Sequence, residues 1–262
     1  MTTKILIGAP IKQDPAILDL YLRSLVRLNK TGFTVDYCFV DDNNEEASSA
    51  LLRDFQTHHT TALLEGKKTT VYSKSQETHL WREELIWNVA SFKNQIIQFS
   101  LDHGYDYVFF VDSDLILHPT TLLRLVETEK DIVSEVFWTK WKPQSIELPQ
   151  VWLCDAYTLY HKGREEQLSS NEASVRIQQF IQQLRIPGVY EVGGLGALTL
   201  IKRGVFEKGV NFSEIKNISF GGEDRHFCIR ACAYGFDLFV DTHFPAFHIY
   251  RNSDLTLAKT LI

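Results

Sequence analysis

A chain of 262 residues, 44% hydrophobic and 23% charged, is long enough for one large α/β domain with a full core and has an ordinary globular composition. Its formal charge of −6 supplies no general basic field, which argues against a nucleic-acid backbone as partner. No apolar run reaches the length a bilayer requires, and Met1 to Pro10 is too short an apolar run for a signal peptide, so a cytoplasmic protein is expected.

The front of the chain reads as βαβαβ. Lys4 to Ala9 is a short apolar strand, and Pro10 with Asp14-Pro15 opens the loop before a helix over Ala16 to Asn29. A second strand, Thr34 to Val40, ends in Asp41-Asp42-Asn43-Asn44 and is followed by a polar helix through Phe55. The segment from His58 to His79 is polar and unperiodic and reads as a long surface loop. Trp81, Leu85, Asn88, Phe92, Ile96 and Phe99 then recur at spacings of three and four, which predicts a helix with one mostly apolar face. Asp102-His103-Gly104 leads from it into the apolar stretch Tyr105 to Val111. Strands alternating with helices predict a largely parallel sheet with helices on both faces.

That stretch runs directly into Asp112-Ser113-Asp114. If the backbone stays extended, period-two geometry puts both carboxylates on one face, where they can share a hard divalent cation. At the carboxyl end of a parallel strand such a cation meets a ligand's phosphates, which points to nucleotide chemistry. The competing reading is that the two acids begin a turn or cap a helix starting near Pro119, since short motifs recur by chance.

In the second half, Asp131 to Trp138 reads as a strand, Trp138 to Pro143 as an aromatic, basic loop, and Ser169 to Arg185 as a helix. Gly193-Gly194-Leu195-Gly196 opens an apolar strand that continues to Arg203. No Gly-Lys-Ser/Thr follows, so these glycines mark close backbone packing beside a ligand more than a phosphate cradle. Gly221-Gly222-Glu223-Asp224 puts two acids at the N-terminus of an amphipathic segment, where the helix dipole favours their charged form. A helix cap accounts for one acid and leaves the other for a ligand. Cys228 and Cys232 read as core packing on that helix, and with Cys38 and Cys154 they form no Cys-x-x-Cys pair, so free thiols are expected. There is no internal repeat, low-complexity tract or linker. One domain with two functional halves fits.

In this order the residues resemble the GT-A fold glycosyltransferases, especially the family 2-like nucleotide-sugar enzymes. Strand one ends in Ala9-Pro10 and strand two in Asp41-Asp42, and a helix carries Lys93-Asn94 where relatives commonly have Arg-Asn. Asp112-Ser113-Asp114 matches the DxD signature and is followed by Pro119. Gly222-Glu223-Asp224 stands where relatives carry an acidic acceptor-site motif, and His248 lies in a late strand whose histidine completes the metal site in many such enzymes. The resemblance covers nearly the whole chain. It implies a single Rossmann-like α/β domain, a mixed, mostly parallel central sheet flanked by helices. Residues 1–117 would be its nucleotide-binding half, and residues 118–262 its acceptor-binding half with a C-terminal closing segment.

The implied activity is a hexosyltransferase-type, metal-dependent transfer of sugar from a UDP- or GDP-linked donor to an acceptor hydroxyl. The acceptor is a glycan, a lipid-linked sugar, a peptide or a small molecule, with modified DNA as a further possibility. By the same resemblance Asp114 ligates Mn2+ or Mg2+ directly, Asp112 contacts the ribose or reaches the ion through water, and His248 completes the metal set. An imidazole ligand favours Mn2+. Asp42, with Asp41 as the alternative, reads the nucleobase or ribose, and Pro10 and Ser113 line the donor site. Lys93 meets phosphate or an acid, without arginine's planar fork. Arg251 adds positive charge over the diphosphate if the tail folds across it. Trp138, Trp141 and Trp152 fall on the acceptor side. Asp224 is the general base of an inverting transfer, and Glu223 binds hydroxyls.

Two other classes compete. A nucleotidyltransferase acting on sugar phosphates lacks its usual glycine-rich, lysine-containing loop here, because Gly8-Ala9-Pro10-Ile11-Lys12 has a single glycine. A non-catalytic nucleotide-sugar or glycan-binding module has no need to retain both carboxylate sites and His248.

Overall fold

The computed structural model describes residues 2–68 and 83–262. Trp81, at the head of the predicted helix face, and positions 69–79 of the predicted loop lie outside the described residues.

β1 (Thr3–Ile11) is buried without alternation from Ile5 to Ala9, as befits a central parallel strand. α1 (Pro15–Val26) has proline in its first turn and is capped by Asp14, whose carboxylate accepts from the Ala16 N–H at 2.8 Å. It stops short of the predicted Asn29, whose N–H donates instead to the Pro119 carbonyl. β2 (Phe33–Asp41) pairs in parallel with β1, and α2 (Glu46–His58) returns the chain to β3 (Thr61–Glu65), which lies parallel beside β2.

β3 corrects the expected loop. Its residues are half-buried or exposed and carry no alternation, and only pairing with Tyr37 to Asp41 makes them a strand. α3 (Glu83–Asp102) buries Leu85, Asn88, Phe92 and Ile96 on the predicted face. A Cβ on Gly8 of β1 would come 2.5 Å from Ile96 Cγ2, so glycine there lets α3 lie close on the sheet. β4 (Tyr107–Val111) follows, parallel to β1.

Next come β5 (Leu115–Ile116), α4 (Thr121–Glu127) and β6 (Ile132–Thr139), then the two-residue strands β7 (Leu148–Pro149) and β8 (Val151–Trp152). α5 (Ser170–Leu184) starts with a Ser169–Glu172 capping box. The predicted strand from Gly193 to Arg203 is divided. β9 (Val189–Val192) precedes it, and β10 (Gly194–Leu195) and β11 (Leu198–Lys202) are separated by Ala197, whose φ of 46° is in the left-handed region. Arg203 belongs to α6 (Arg203–Glu207). α7 (Glu223–Ala233), β12 (Leu238–His248) and α8 (Leu255–Leu261) complete the order.

The main sheet runs β3-β2-β1-β4-β11-β6-β12-β5. β3, β2, β1, β4, β6 and β12 share one direction, and β11 runs against its neighbours β4 and β6. This is the expected mixed, mostly parallel sheet of a single domain, and it passes without a break from one half of the chain to the other. One face is covered by apolar residues of α3 and α7, including Phe92, Ile96 and Phe227. The other is covered by α1, α2 and α4 through Leu18, Leu52 and Leu122. Cys38 and Cys228 are buried, but Cys154 and Cys232 are exposed, against the reading of Cys232 as core. Ala231 rather than Cys232 fills the core at that level of α7.

β12 follows β6 in parallel from Phe239 to Asp241 and then loses register until Ala246 meets Phe137, a bulge. Its last residues, Phe247 and His248, pair antiparallel with Ile116 and Leu115 of β5. That pairing carries the end of β12 to the turn after β4.

Candidate functional site

β4 ends at Val111, and Asp112-Ser113-Asp114 is a tight turn closed by the Leu115 N–H donating to the Asp112 carbonyl at 3.2 Å. The two acids are therefore not on an extended strand, and the period-two expectation is corrected: the turn brings them together. It is clamped on both sides. The Asp112 N–H donates to the Ala197 carbonyl at 2.9 Å, and the Ile249 N–H donates to the Asp114 carbonyl at 2.8 Å. The acids do not cap α4, which begins at Thr121.

His248 arrives opposite Asp114, with Nε2 3.6 Å from Asp114 Oδ2. Its Nδ1 lies 2.9 Å from Thr139 Oγ1, a partner that fixes the ring and leaves Nε2 facing the acid. Among the described residues no group of three or more His, Cys, Asp or Glu side chains is drawn together closely enough to hold a metal unaided. Asp114 and His248 are the pair that converges, and Asp112 stands beside them.

A cavity of about 130 Å³ opens on this turn and is lined by Pro10, Asp42, Asn88 and Ser113 as well as by both acids. Asp42 is buried, pairs with Lys12 Nζ at 3.2 Å and accepts the Lys68 N–H at 2.6 Å. A Cβ on Gly66 would lie 2.7 Å from Asp42 Oδ1, so glycine is what lets the chain pass over this acid. Asp41 is occupied by its own turn, accepting from the backbone and side chain of Asn43 at 3.1 and 2.8 Å. Of the two alternatives, Asp42 is the one that lines the cavity.

Glu223 and Asp224 form the first turn of α7, behind Gly222 at φ 90°. Lys93 of α3, 2% exposed, bridges them, with Nζ 2.9 Å from Glu223 Oε1 and 2.8 Å from Asp224 Oδ1. Burial alone would lower the Lys93 pKa. The carboxylates of Asp224 and Glu223, then Asp112, outweigh burial and hold the ammonium well above its usual range. Of the two expected partners, phosphate or acid, Lys93 thus meets the acid. Burial raises the Glu223 carboxyl against the pull of Lys93. Burial also drives Asp112 up to about 8, with Lys93 opposing and Asp114 adding to the rise. Three carboxyl groups, Asp224, Glu223 and Asp112, act on one buried ammonium, a shortage of positive charge that fits a bound cation.

A larger cavity of about 490 Å³ lies on the other side of the same turn. Asp112, Asp114 and Glu223 line both cavities. The larger one adds Asp224 and His248 on its floor and Trp141, Trp152, Tyr157, Phe220 and Tyr250 on its walls. The glycine cluster packs closely, as expected, and Gly196 lines the larger cavity. A Cβ on Gly194 would fall 1.9 Å from the Trp152 ring, and one on Gly196 would fall 2.7 Å from Asp224 Oδ2. Trp141 and Trp152 are at the cavity, whereas Trp138 stacks under the Arg185 guanidinium, 3.4 Å from its ring centre.

Arg251 is not among the residues lining either cavity. Its guanidinium donates to the Lys140 and Trp141 carbonyls at 2.6 and 2.7 Å, so it ties the tail to the loop after β6. The expected position over a diphosphate is corrected accordingly. His243 pairs with Asp241 at 2.9 Å, away from the turn.

Sequence reasoning missed Lys12, Asn88 and Tyr157. Lys12 follows the end of β1 directly and Asn88 is a polar residue on the apolar face of α3, so both carried a local signal. Tyr157, at φ 55° with its hydroxyl bonded to the Gly221 carbonyl, carried none.

No protein-family model matches the chain, and no curated protein matches it. Solved structures do. A mannosyltransferase, PcManGT from Pyrobaculum calidifontis in complex with GDP-Man and Mn2+, aligns over 98% of this chain and 60% of its own, with 13% identity and a TM-score of 0.54. S. aureus TarS 1-349 aligns over 99% and 65%, with 13% identity and a TM-score of 0.53. GalNAc-T7 with UDP, GalNAc and Mn2+ aligns over 96% and 44%, with 14% identity and a TM-score of 0.57. The chain thus spans less than two thirds of each of these three. The likeness is one of fold, the GT-A arrangement that the ordered motifs predict. No described helix is long and apolar enough to cross a membrane.

Proposed function

We propose that the chain is a metal-dependent glycosyltransferase that moves a sugar from a UDP- or GDP-linked donor to an acceptor hydroxyl. The observation that carries this reading is the meeting of two cavities at one carboxylate turn, with a histidine on one side and a lysine-bridged acid pair on the other. Two solved structures of the same fold, which hold GDP-Man or UDP together with Mn2+, support it.

The smaller cavity takes the nucleoside, in the half formed by residues 1–117, where Asp42 accepts hydrogen bonds from base or ribose. Asp114 and His248 would hold Mn2+, with Asp112 on the ribose or reaching the ion through water. The ion, when bound, supplies Lewis-acid neutralisation of the leaving diphosphate. The acceptor enters the larger cavity, in the half formed by residues 118–262. There Asp224 takes the proton of the acceptor hydroxyl as its oxygen bonds to the anomeric carbon. The bond from that carbon to the diphosphate oxygen breaks, and its electron pair leaves with the diphosphate. Glu223 accepts hydroxyl hydrogen bonds. Lys93 holds Asp224 in place through its 2.8 Å contact. Attack from the side opposite the leaving group inverts the anomeric centre.

Asp224→Asn keeps size but removes the basicity, so turnover should fall by about 10²–10⁴-fold with donor affinity nearly preserved. NMR of the product reads the stereochemistry. A mutant that keeps turnover, or a product that keeps the donor's anomeric configuration, removes Asp224 from the base role. Incubation with nucleotide sugars and Mn2+ should release free sugar and nucleoside diphosphate slowly, and a panel giving neither turnover nor nucleotide binding would refute the transferase itself.

A further inference from the structure

The transferase reading leaves the acceptor open, and the chemistry of the larger cavity narrows it. Four carboxyl groups, those of Asp112, Asp114, Glu223 and Asp224, line it, and their oxygens accept hydrogen bonds from hydroxyls. Among the described residues lining it there is no Lys or Arg. Cations close by are engaged elsewhere: Lys93 with the two acids, Arg225 with Asp155 and the Ser219 carbonyl, and Arg251 with the Lys140 and Trp141 carbonyls. An anionic group entering here would meet four carboxyl groups and, among the described residues lining the cavity, no Lys or Arg to pair with.

The opposite wall is aromatic. The Trp152 ring backs onto Gly194 and sits with its centre 4.3 Å from that of Tyr157, and Trp141 meets Tyr250 edge-on at 5.6 Å. Trp141, Tyr157 and Phe220 remain 41%, 48% and 47% exposed, so apolar ring surface continues from the cavity to its rim. The volume of about 490 Å³ is in the range that encloses a small ligand while a longer chain runs out over the rim. One wall that offers flat apolar faces and one floor that takes hydroxyl protons match a neutral sugar ring, which has a C–H face and donating hydroxyls.

On the basis of the transferase reading, we propose that the acceptor is an uncharged saccharide that lays one ring face on the exposed rings of Trp141, Tyr157 and Phe220, and that phosphate-bearing acceptors are refused. The test uses the whole chain saturated with UDP or GDP and Mn2+. Ligand-observed saturation-transfer NMR is run on the methyl glycosides of glucose, galactose, mannose and N-acetylglucosamine and on their 6-phosphates. At least one neutral glycoside should receive saturation, strongest at its ring C–H protons, while its phosphate binds at least about tenfold more weakly. Trp141→Ala and Phe220→Ala, both at the exposed rim, should weaken that glycoside roughly three- to tenfold, with a smaller effect on nucleotide affinity by calorimetry. Equal or tighter binding of the phosphates, no glycoside binding to a nucleotide-loaded protein, or no effect of either rim variant would overturn the acceptor assignment alone. Failure of both nucleotides to bind with Mn2+ would instead strike the transferase reading on which it rests.

Discussion

Asp114 and His248 should contribute unequally to a metal site, because a carboxylate attracts a dication through its full charge and an imidazole only through its lone pair. Asp114→Ala should therefore abolish measurable Mn2+-dependent binding of nucleoside diphosphate, while His248→Ala should weaken it by less. Calorimetry with and without Mn2+ checks the order. Lys93 gives a second test at this scale. Methionine at 93 leaves Glu223 and Asp224 without their buried partner, and loss of one side of such a pair destabilises by about 3–5 kcal/mol. Arginine keeps the charge, so Lys93→Arg should recover most of the thermal stability that Lys93→Met loses. Most residues of the candidate site were legible because each stands at the carboxyl end of an apolar strand or the start of a helix: Asp42, Asp112, Asp114, Glu223 and Asp224. What they touch was not. Arg251 looked free for a phosphate, yet carbonyls far away in sequence claim its guanidinium. Pairing between distant segments leaves no mark on local pattern.

Neighbouring strands bring a different pair of acids together. Glu135 of β6 and Asp241 of β12 are register partners, both almost fully buried, with Arg124 on Asp241 at 3.0 Å. Burial first, then the charge of Asp241, pushes the Glu135 carboxyl up to about 9 from an ordinary 4.5. Its folded-state value is raised, so the folded protein binds a proton that the unfolded chain releases. The associated stability is fully present below about pH 4.5 and is lost as pH rises towards 9. Chemical denaturation at pH 5 and at pH 8.5 should show the wild type losing roughly 1–3 kcal/mol more than Glu135→Gln between the two. A parallel decline in both proteins would dismiss the carboxyl as the cause. The long elements α1, α3, α5, β1, β2 and β6 could be read from periodicity, capping and apolar runs. β3, β7, β8 and β9 could not, since strands of two to five residues exist only through their partners.

The site draws on β1, β2, α3, the turn after β4, α7 and the end of β12, so a ligand held there ties the first residues of the chain to nearly the last. A ligand at one hundred times its Kd adds about 2.7 kcal/mol to the folded state, which for a domain of this size is an increase in Tm of about 5–10 °C. Nucleoside diphosphate with Mn2+ should produce that rise in the wild type and none in Asp114→Ala, as scanning calorimetry would read. The layered α/β class was legible in the alternation of patterns. The strand order was not, because nothing local says that β11 inserts between β4 and β6 and reverses direction.

The bulge in β12 also has a mechanical side. Between its two paired stretches the strand advances from Asp241 to Ala246 while β6 advances only from Glu135 to Phe137. Those surplus residues are out of register with β6 and held by other partners, which uncouples the placement of His248 from the register of the buried sheet. An extra residue inserted between Thr242 and Pro245 should be taken up there, leaving Mn2+-dependent nucleotide binding within a few-fold of the wild type. The same insertion beside Phe247, where pairing with β5 leaves no play, should turn His248 to the opposite face and cost the binding that His248→Ala costs.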